Sequence, residues 1–233
     1  MICINKQEQW DRNASSGPAN TIIHTSRMNR RQHWNQVFET RSSQELSWSQ
    51  RRPELSLALI AASGAGRQDG IIDVGGGAST LVDCLLDAGY TRLAVLDLSG
   101  IALGRSRERL GGRAEAVEWF EADVTTFDPP HHFGVWHDRA VFHFLTAPED
   151  RRAYLAALRR TLNPGGAVII ATFAPEGPSR CSGLDVVRYD QQSMLAELGP
   201  EFRLHEVRLE THVTPWGAEQ RFIYFRLQWN PVT

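Results

Sequence analysis

The sequence predicts an α/β fold with a doubly wound, mostly parallel sheet that closes in an antiparallel hairpin. A short apolar run at residues 71–74 leads into a glycine turn and then into a stretch with helical periodicity. Similar apolar runs alternate with helical stretches as far as residue 173, as expected when helices connect parallel strands. Near the C-terminus, two strand-like runs at 202–213 and 220–228 flank a short turn, which predicts the hairpin.

The composition is that of one globular domain and gives no sign of a nucleic-acid partner. The 233 residues suffice for one sizeable core, and 42% hydrophobic with 22% charged residues is ordinary for a globular protein. A formal net charge of -2 provides no basic field for nucleic acid. The arginine-rich stretches fall on predicted helices, where a solvated face is expected. We therefore predict no nucleic-acid partner.

Cysteine usage and apolar runs indicate the compartment. The three cysteines, Cys3, Cys84 and Cys181, have the spacing of neither a zinc site nor a disulfide framework, so no metal site is predicted. No apolar run approaches the ~18 residues that span a bilayer. The N-terminus also lacks the residue order of a signal peptide. These observations predict a cytoplasmic protein that does not enter the membrane.

The chain begins with a polar segment and then changes character. Residues 1–30 are rich in Asn, Ser, Thr and Arg without periodicity, which predicts a disordered arm. Residues 31–233 are predicted to form a single domain. Its first part, residues 31–66, has two helical stretches, and Trp34 and Phe38 share one face of the first.

The glycine turn after the first predicted strand is the centre of the candidate site. It reads Asp73, Val74, Gly75, Gly76, Gly77. A dinucleotide fingerprint needs a further glycine three positions after the second of its G-x-G pair, and Thr80 stands there instead. The carboxylate of Asp73 also disfavours a phosphate and suits a cationic ligand. The turn lets a ligand approach the backbone closely, beside the unpaired N–H groups of a helix start.

The second predicted strand ends in another carboxylate. Asp97 follows Gly77 by twenty positions, where an acidic residue accepts hydrogen bonds from both ribose hydroxyls of a nucleotide-like ligand. We therefore assign Asp97, with the adjacent Leu98, to ligand binding. The alternative role of a helix N-cap belongs more naturally to Ser99, since helical periodicity starts after it.

The fourth predicted strand, residues 133–137, leads into four candidates for acceptor-side chemistry. They are His137, Asp138, Arg139 and His143. The carboxyl end of this strand opens where ligands bind in open α/β sheets. Either histidine can exchange a proton near neutral pH, and Arg139 can hold an anionic group or favour a thiolate. The alternatives are apolar packing of each histidine and pairing of Arg139 with Asp138 or another carboxylate.

The D-x-G-x-G pattern of residues 73–77 resembles the first motif of class I S-adenosylmethionine-dependent methyltransferases, which have a Rossmann-like sheet of seven strands. The resemblance runs from about Trp34 to the C-terminus. It implies that Asp73 helps to hold the methionine end of the cofactor through its ammonium group. It also implies that Asp123 bonds the adenine amino group and that the backbone of Val124 bonds the ring. An exposed turn aspartate is the alternative for Asp123.

The aromatic residues before the glycine turn resemble the lid of several small methyltransferases. They include Trp34, Phe38 and Trp48, which are predicted to lie in the helical part at residues 31–66. An aromatic cover excludes water and offers a π-face to a cationic sulfonium, so Trp48 is predicted to contact the cofactor. The alternative is that Trp34 and Trp48 only pack the helices against the sheet.

A second resemblance concerns the acceptor. Trp136, Asp138, Arg139 and Ala140 resemble a W-D-R-[GA] segment of thiopurine-type thiol methyltransferases, with His137 as an insertion. A similar acidic-basic pair occurs in some protein lysine methyltransferases. The resemblance implies an S-adenosyl-L-methionine-dependent enzyme that methylates a small-molecule nucleophile, with a thiol as the leading candidate. A protein lysine methyltransferase is the alternative, and a non-catalytic cofactor-binding protein is the third reading.

Overall fold

The computed structural model describes residues 29–42 and 45–231. The arm predicted for residues 1–30 therefore lies outside the described residues, apart from Asn29, which caps the first helix, and Arg30, which begins it. The division into an arm and one domain stays a prediction. Within the described ranges, no helix combines the length and the apolar character that a membrane span requires.

Six α-helices and nine strands make up the regular structure of the described residues. The helices are α1 Arg30–Thr40, α2 Glu54–Ala62, α3 Leu81–Asp87, α4 Gly100–Leu110, α5 Pro148–Thr161 and α6 Gln191–Leu198. The strands are β1 Ile71–Val74, β2 Leu93–Asp97, β3 Val117–Glu121, β4 Phe133–Arg139, β5 Leu162–Phe173, β6 Arg180–Cys181, β7 Leu184–Asp185, β8 Phe202–Val213 and β9 Glu219–Trp229.

Seven strands form one sheet in the order β3-β2-β1-β4-β5-β9-β8. Neighbours among β1 to β5 pair in parallel, whereas β9 pairs antiparallel with both β5 and β8. The predicted seven-stranded Rossmann-like sheet with a C-terminal antiparallel hairpin is thus confirmed. The strand order reverses between β1 and β4, and ligands of open α/β sheets bind outside the strand ends at such a point.

Both faces of the sheet are covered, so the doubly wound arrangement is also confirmed. Ile71 and Val135 pack on one face, together with Leu59 of α2 and residues of α3 and α4. Ile72 and Trp136 pack on the other face against α5 and α6. β1 and β2 are buried at every position, and their sequences are apolar apart from Asp73 and Asp97, as the strand pattern predicted. The edge strand β3 is only partly buried and contains two glutamates.

β4 continues two residues beyond its predicted end. Asp138 and Arg139 remain in the sheet because they pair with Ile170 and Ala171 of β5. Side chains alternate along a strand, so the extension sends Asp138 to the face of Trp136 and Arg139 to the opposite face. This alternation separates two residues that the sequence analysis treated as a pair.

Asp138 fixes the turn that follows β4. Its buried carboxylate accepts hydrogen bonds from the N–H groups of Val141 (2.8 Å) and Phe142 (3.0 Å) and from the hydroxyl of Tyr154 (2.6 Å). The indole N–H of Trp136 donates to the same hydroxyl at 2.8 Å. Burial raises the pKa of Asp138 to about 6, although these hydrogen bonds act in the opposite direction. These hydrogen bonds connect β4 to Tyr154 of α5 and fix the path of the loop that follows β4.

Replacing Tyr154 with phenylalanine should destabilise the fold. The change leaves the buried indole N–H of Trp136 without its partner and removes one donor from Asp138. We expect the free energy of unfolding in urea to fall by about 1–3 kcal/mol. Tyr90→Phe is the matched control, because Tyr90 is also buried but packs under Arg67 rather than in this network. Equal losses in both variants would contradict the proposed role of the Tyr154 hydroxyl.

Candidate active site

The glycine turn packs directly against two carboxylates. Gly75 has a φ of +71°, a conformation that favours glycine. A Cβ atom on Gly76 would overlap Oδ2 of Asp73, and a Cβ on Gly77 would lie 2.6 Å from Oδ2 of Asp97. Side chains at these two positions would therefore displace the acidic groups. The turn has no side chains because the carboxylates occupy the space in which they would lie.

Asp97 is held in one orientation by backbone donors. Its Oδ2 accepts a hydrogen bond from the N–H of Gly77 (2.9 Å), and its Oδ1 accepts one from the N–H of Ser99 (2.8 Å). Burial, with a smaller effect from the nearby charge of Asp73, raises the pKa of Asp97 to about 6. Ser99 caps α4 by accepting from the N–H of Ala102, so the predicted N-cap role of Ser99 is confirmed.

Asp123 both caps a turn and borders the cleft. Its Oδ1 accepts hydrogen bonds from the N–H (2.9 Å) and the hydroxyl (2.7 Å) of Thr125, at the start of a 3₁₀ turn that contains Val124. The alternative of a turn aspartate thus describes part of its role. The residue is half-buried and also lines the cleft at the strand ends.

One cleft, here called the main cleft, collects most of the predicted cofactor residues. Its lining includes Gly75, Asp97, Leu98, Asp123, Val124 and Trp48. The cleft continues past Trp34 and Phe144 to Arg139 and Cys181. Burial raises the pKa of the Cys181 thiol to about 11, so this thiol is protonated at neutral pH. Gly77 is not among the lining residues of this cleft, but its N–H group donates a hydrogen bond to Asp97, which is.

Asp73 lies beside a second cavity, here called the side cavity, next to the main cleft. This cavity is lined by Asp73, Gly76, His137 and Ser56, among others, and it shares Gly75, Trp48 and Arg139 with the main cleft. Asp73 is only 4% exposed, and its Oδ1 lies 2.7 Å from Nδ1 of His137. Its Oδ2 has no hydrogen-bond partner among the described residues. A buried carboxylate oxygen without a partner is costly, and a cationic ligand would satisfy it.

Aromatic side chains cover the main cleft. The ring of Trp34 contacts those of Trp48 and Phe144, with centroids 5.8 and 5.1 Å apart, and Phe38 contacts Trp48 at 6.3 Å. The same rings pack with Val37 and residues of α4. Both earlier readings of Trp34 and Trp48 therefore describe real contacts, because these side chains line the cleft and also pack the helices.

Arg139 reaches the cleft but is held by several partners. Its Nε donates to the hydroxyl of Tyr224 (2.8 Å), and its Nη1 donates to the backbone oxygen of Trp48 (3.0 Å). Nη2 lies 3.5 Å from Oε2 of Glu210, and the guanidinium stacks over Phe222. These contacts restrict its orientation and offset part of its charge. The alternative that Arg139 pairs with a carboxylate is confirmed, but the partner is Glu210 and not Asp138, which lies on the other face of β4.

Two of the four predicted acceptor-side residues do not reach either cavity. Asp138 is fully buried and uses its carboxylate for the turn after β4, so it is removed from any acceptor. His143 is also fully buried, and burial lowers its pKa to about 3, which keeps the imidazole neutral. The structure therefore contradicts the assignment of Asp138 and His143 as groups that touch an acceptor. His137 and Arg139 do line the side cavity.

Several residues of the site were missed by the sequence reasoning. They are Ser56 on α2, Phe144, Glu210 on β8 and Tyr224 on β9. Apart from Ser56, each lies more than sixty residues after the glycine turn in the sequence. No local spacing marks any of them.

Comparison with known proteins gives matches that cover part of the chain. Residues 71–166 match a family model described as a methyltransferase domain. A protein from Bos taurus named eEF1A lysine and N-terminal methyltransferase is 23% identical over 149 residues, which are 61% of this chain and 21% of that protein. The matched region thus spans about a fifth of that relative's length.

Two solved structures share the fold. One, reported for the conversion of a disulfide bond into a thioacetal group during echinomycin biosynthesis, has a TM-score of 0.71 and 18% identity, covering 85% of this chain and 92% of that chain. The other is the 1,6-didemethyltoxoflavin-N1-methyltransferase of Burkholderia thailandensis with bound 1,6-didemethyltoxoflavin and S-adenosylhomocysteine. It has a TM-score of 0.67 and 16% identity, covering 93% of this chain and 94% of that chain.

The domain match covers the glycine turn and the first four strand ends, and the sheet has the strand order described above. Residues 71–166 are therefore similar to a methyltransferase domain, and they lie in a fold that is shared with a solved methyltransferase.

Proposed function

We propose that this protein transfers a methyl group from S-adenosylmethionine to a small-molecule nucleophile, with a thiol or another soft nucleophile as the leading acceptor class. The observation that carries the proposal is the lining of the main cleft. Carboxylates occupy one end, and aromatic rings lead to Arg139 and Cys181 at the other. The solved relative that acts on a disulfide during echinomycin biosynthesis supports a sulfur acceptor.

The residues present fit the cofactor. The partnerless Oδ2 of Asp73 suits an ammonium group, and the adjacent Gly75 and Gly76 line the side cavity. Asp97, fixed by two backbone donors, suits a pair of ribose hydroxyls. Asp123 and Val124 border the same cleft and would hold the adenine. We assign Trp48 to the aromatic cover over the bound cofactor.

The contribution of the protein to the reaction is mainly orientation. When bound, S-adenosylmethionine supplies a sulfonium-activated methyl group. The carboxylates fix the cofactor, while the rings of Trp34, Trp48 and Phe144 exclude water and confine the acceptor. Such proximity and orientation can account for ~7–11 kcal/mol of barrier. A covalent catalytic residue is not required.

The acceptor class follows from the proton donors and acceptors available in the main cleft. The titratable side chains among its described lining residues are Arg30, Asp97, Asp123, Arg139 and Cys181. With both carboxylates assigned to the cofactor, what remains is two guanidiniums and a protonated thiol, none of which removes a proton at neutral pH. This favours an acceptor that already has a free lone pair, such as a thiolate or a heterocyclic nitrogen, near Arg139.

The second candidate is a protein lysine or N-terminal methyltransferase, favoured by the similarity to the bovine enzyme of that name. An ammonium group loses its proton less readily than a thiol does, and the described lining of the main cleft provides no base for that step. The positive charge of Arg139 favours a thiolate but disfavours an ammonium group. We therefore rank this candidate below a small-molecule acceptor.

A labelled methyl-transfer assay separates the candidates. Purified protein would be incubated with methyl-labelled S-adenosylmethionine and with small thiols, nitrogen heterocycles, or peptides that carry lysine and a free N-terminus. We expect label on thiols or heterocycles, with mass spectrometry locating the methylated atom. Label on peptides alone would contradict the proposal. Cofactor binding without transfer to any class of acceptor would favour the non-catalytic reading.

Replacing Asp97 with alanine should weaken cofactor binding. The change removes the carboxylate that would accept from the ribose hydroxyls and also frees the N–H groups of Gly77 and Ser99. We expect the affinity for S-adenosylhomocysteine, measured by calorimetry, to fall by roughly 10- to 100-fold, as for charge-assisted hydrogen bonds. Asp128→Ala, a carboxylate removal at a side chain that is 86% exposed, is the control and should leave binding unchanged. Unchanged affinity in Asp97→Ala would refute the assignment.

Cofactor binding should also depend on pH through Asp97. Burial raises the pKa of this carboxyl to about 6, and the ionised form is the better acceptor for ribose hydroxyls. The affinity for S-adenosylhomocysteine should therefore be constant above about pH 7 and fall by up to about tenfold between pH 7 and pH 5. Titration calorimetry across this range measures the effect. If Asp97→Ala keeps the same pH dependence, another group is responsible.

A further inference from the structure

Three buried side chains form a continuous chain of hydrogen bonds beneath the side cavity. Ser56 on α2, His137 on β4 and Asp73 on β1 are 1%, 2% and 4% exposed. The Oγ of Ser56 lies 2.9 Å from Nε2 of His137, whose Nδ1 lies 2.7 Å from Oδ1 of Asp73. Asp73 and His137 are direct neighbours in the parallel pairing of β1 with β4. These hydrogen bonds, here called the Ser56–His137–Asp73 network, thus connect the predicted lid to the glycine turn.

The direction of these hydrogen bonds follows from the groups involved. A carboxylate only accepts, so Nδ1 of His137 carries a hydrogen and donates to Asp73. In the neutral imidazole, Nε2 is then an acceptor, and the hydroxyl of Ser56 donates to it. Asp73 therefore selects the tautomer of the neutral His137, Ser56 holds the ring by donating to Nε2, and His137 fixes the carboxylate.

This arrangement leaves one oxygen of Asp73 without a partner. Oδ1 is used by His137, while Oδ2 lies against Gly76 and has no partner among the described residues. All three residues of the Ser56–His137–Asp73 network line the side cavity. A buried carboxylate with a single unsatisfied oxygen facing a cavity is suited to a cationic group of a ligand.

We propose that Ser56 and His137 are positioning residues that hold Asp73 so that Oδ2 meets the ammonium group of the cofactor. This inference rests on the proposed function, and it assigns His137 to the cofactor side rather than to proton transfer from the acceptor. Because Ser56 belongs to α2, binding of the amino-acid end of the cofactor is coupled to the position of the predicted lid.

The same connectivity occurs in Ser-His-Asp hydrolases, where the serine is a nucleophile. Ser56 differs in being almost fully buried, within a helix that packs on the sheet through Leu59 and Ile60. Both imidazole nitrogens of His137 are satisfied in this position. We therefore propose that the Ser56–His137–Asp73 network orients Asp73 and does not carry out nucleophilic attack.

Two probes that differ only in the amino-acid portion test this assignment. S-adenosylhomocysteine carries the ammonium group, whereas 5′-methylthioadenosine lacks the amino-acid portion altogether. Calorimetry would measure both affinities for the full chain and for Ser56→Ala, His137→Asn and His137→Leu. The asparagine amide can still donate to Asp73, whereas leucine cannot. Ser63→Ala, at the end of the same helix, is the matched control.

We expect S-adenosylhomocysteine to bind about 3- to 10-fold more weakly to Ser56→Ala and His137→Asn, and roughly 10- to 100-fold more weakly to His137→Leu. Affinity for 5′-methylthioadenosine should stay within about twofold in every variant, since the adenosine site is intact. Ser63→Ala should match the unmodified protein with both probes.

Other outcomes would overturn the inference. Equal losses of affinity for the two probes would mean that the Ser56–His137–Asp73 network only maintains the fold. Unchanged affinity for both probes would mean that the network does not orient Asp73. Hydrolysis of p-nitrophenyl acetate that disappears in Ser56→Ala would assign Ser56 as a nucleophile instead. If the unmodified protein binds neither probe, the proposed function itself fails and this inference with it.

Discussion

Two buried carboxylates lie against a stretch of backbone that has no side chains, and the position of the cleft depends on that contact. Asp73 packs on Gly76, and Asp97 packs on Gly77. Burial of a charged group is costly unless hydrogen bonds satisfy it, so each carboxylate needs fixed donors. Asp97 obtains two from the backbone, whereas Asp73 obtains one from His137. The turn, the strand ends and the donors therefore constrain one another.

The cover over this turn is attached by hydrogen bonds as well as by aromatic packing. The backbone oxygens of Trp48 and Gln50 accept from Arg139 and from the hydroxyl of Thr80, while the Gln50 side chain donates to Glu210. Glu210 lies on β8, so the C-terminal hairpin contributes to the position of the cover. The antiparallel strands that distinguish this sheet from an all-parallel one thus also take part in the candidate site.

The sequence was most informative where structure depends on nearby residues. The glycine turn, the strand end at Asp97 and the cap at Ser99 are local patterns, and the structure shows each of them. The acceptor side was less predictable, because β4 extends through pairing with β5, which spacing alone does not reveal. In the extended strand, His137 lines the side cavity, whereas Asp138 lies on the opposite face and bonds Tyr154. Their partners, Ser56 and Tyr154, lie on helices that periodicity locates but does not orient.

The charges at the two ends of the main cleft differ in how far they are compensated. At one end, burial raises the pKa of Asp97 to about 6, so its charge is tolerated rather than stabilised by the free protein. At the other end, Glu210 and the hydroxyl of Tyr224 hold Arg139 and offset its charge. A cationic ligand at the carboxylates therefore gains more than an anionic ligand at Arg139. Discrimination among acceptors must then come mainly from the shape of the aromatic lining, to which the contacting rings of Trp34 and Phe144 belong.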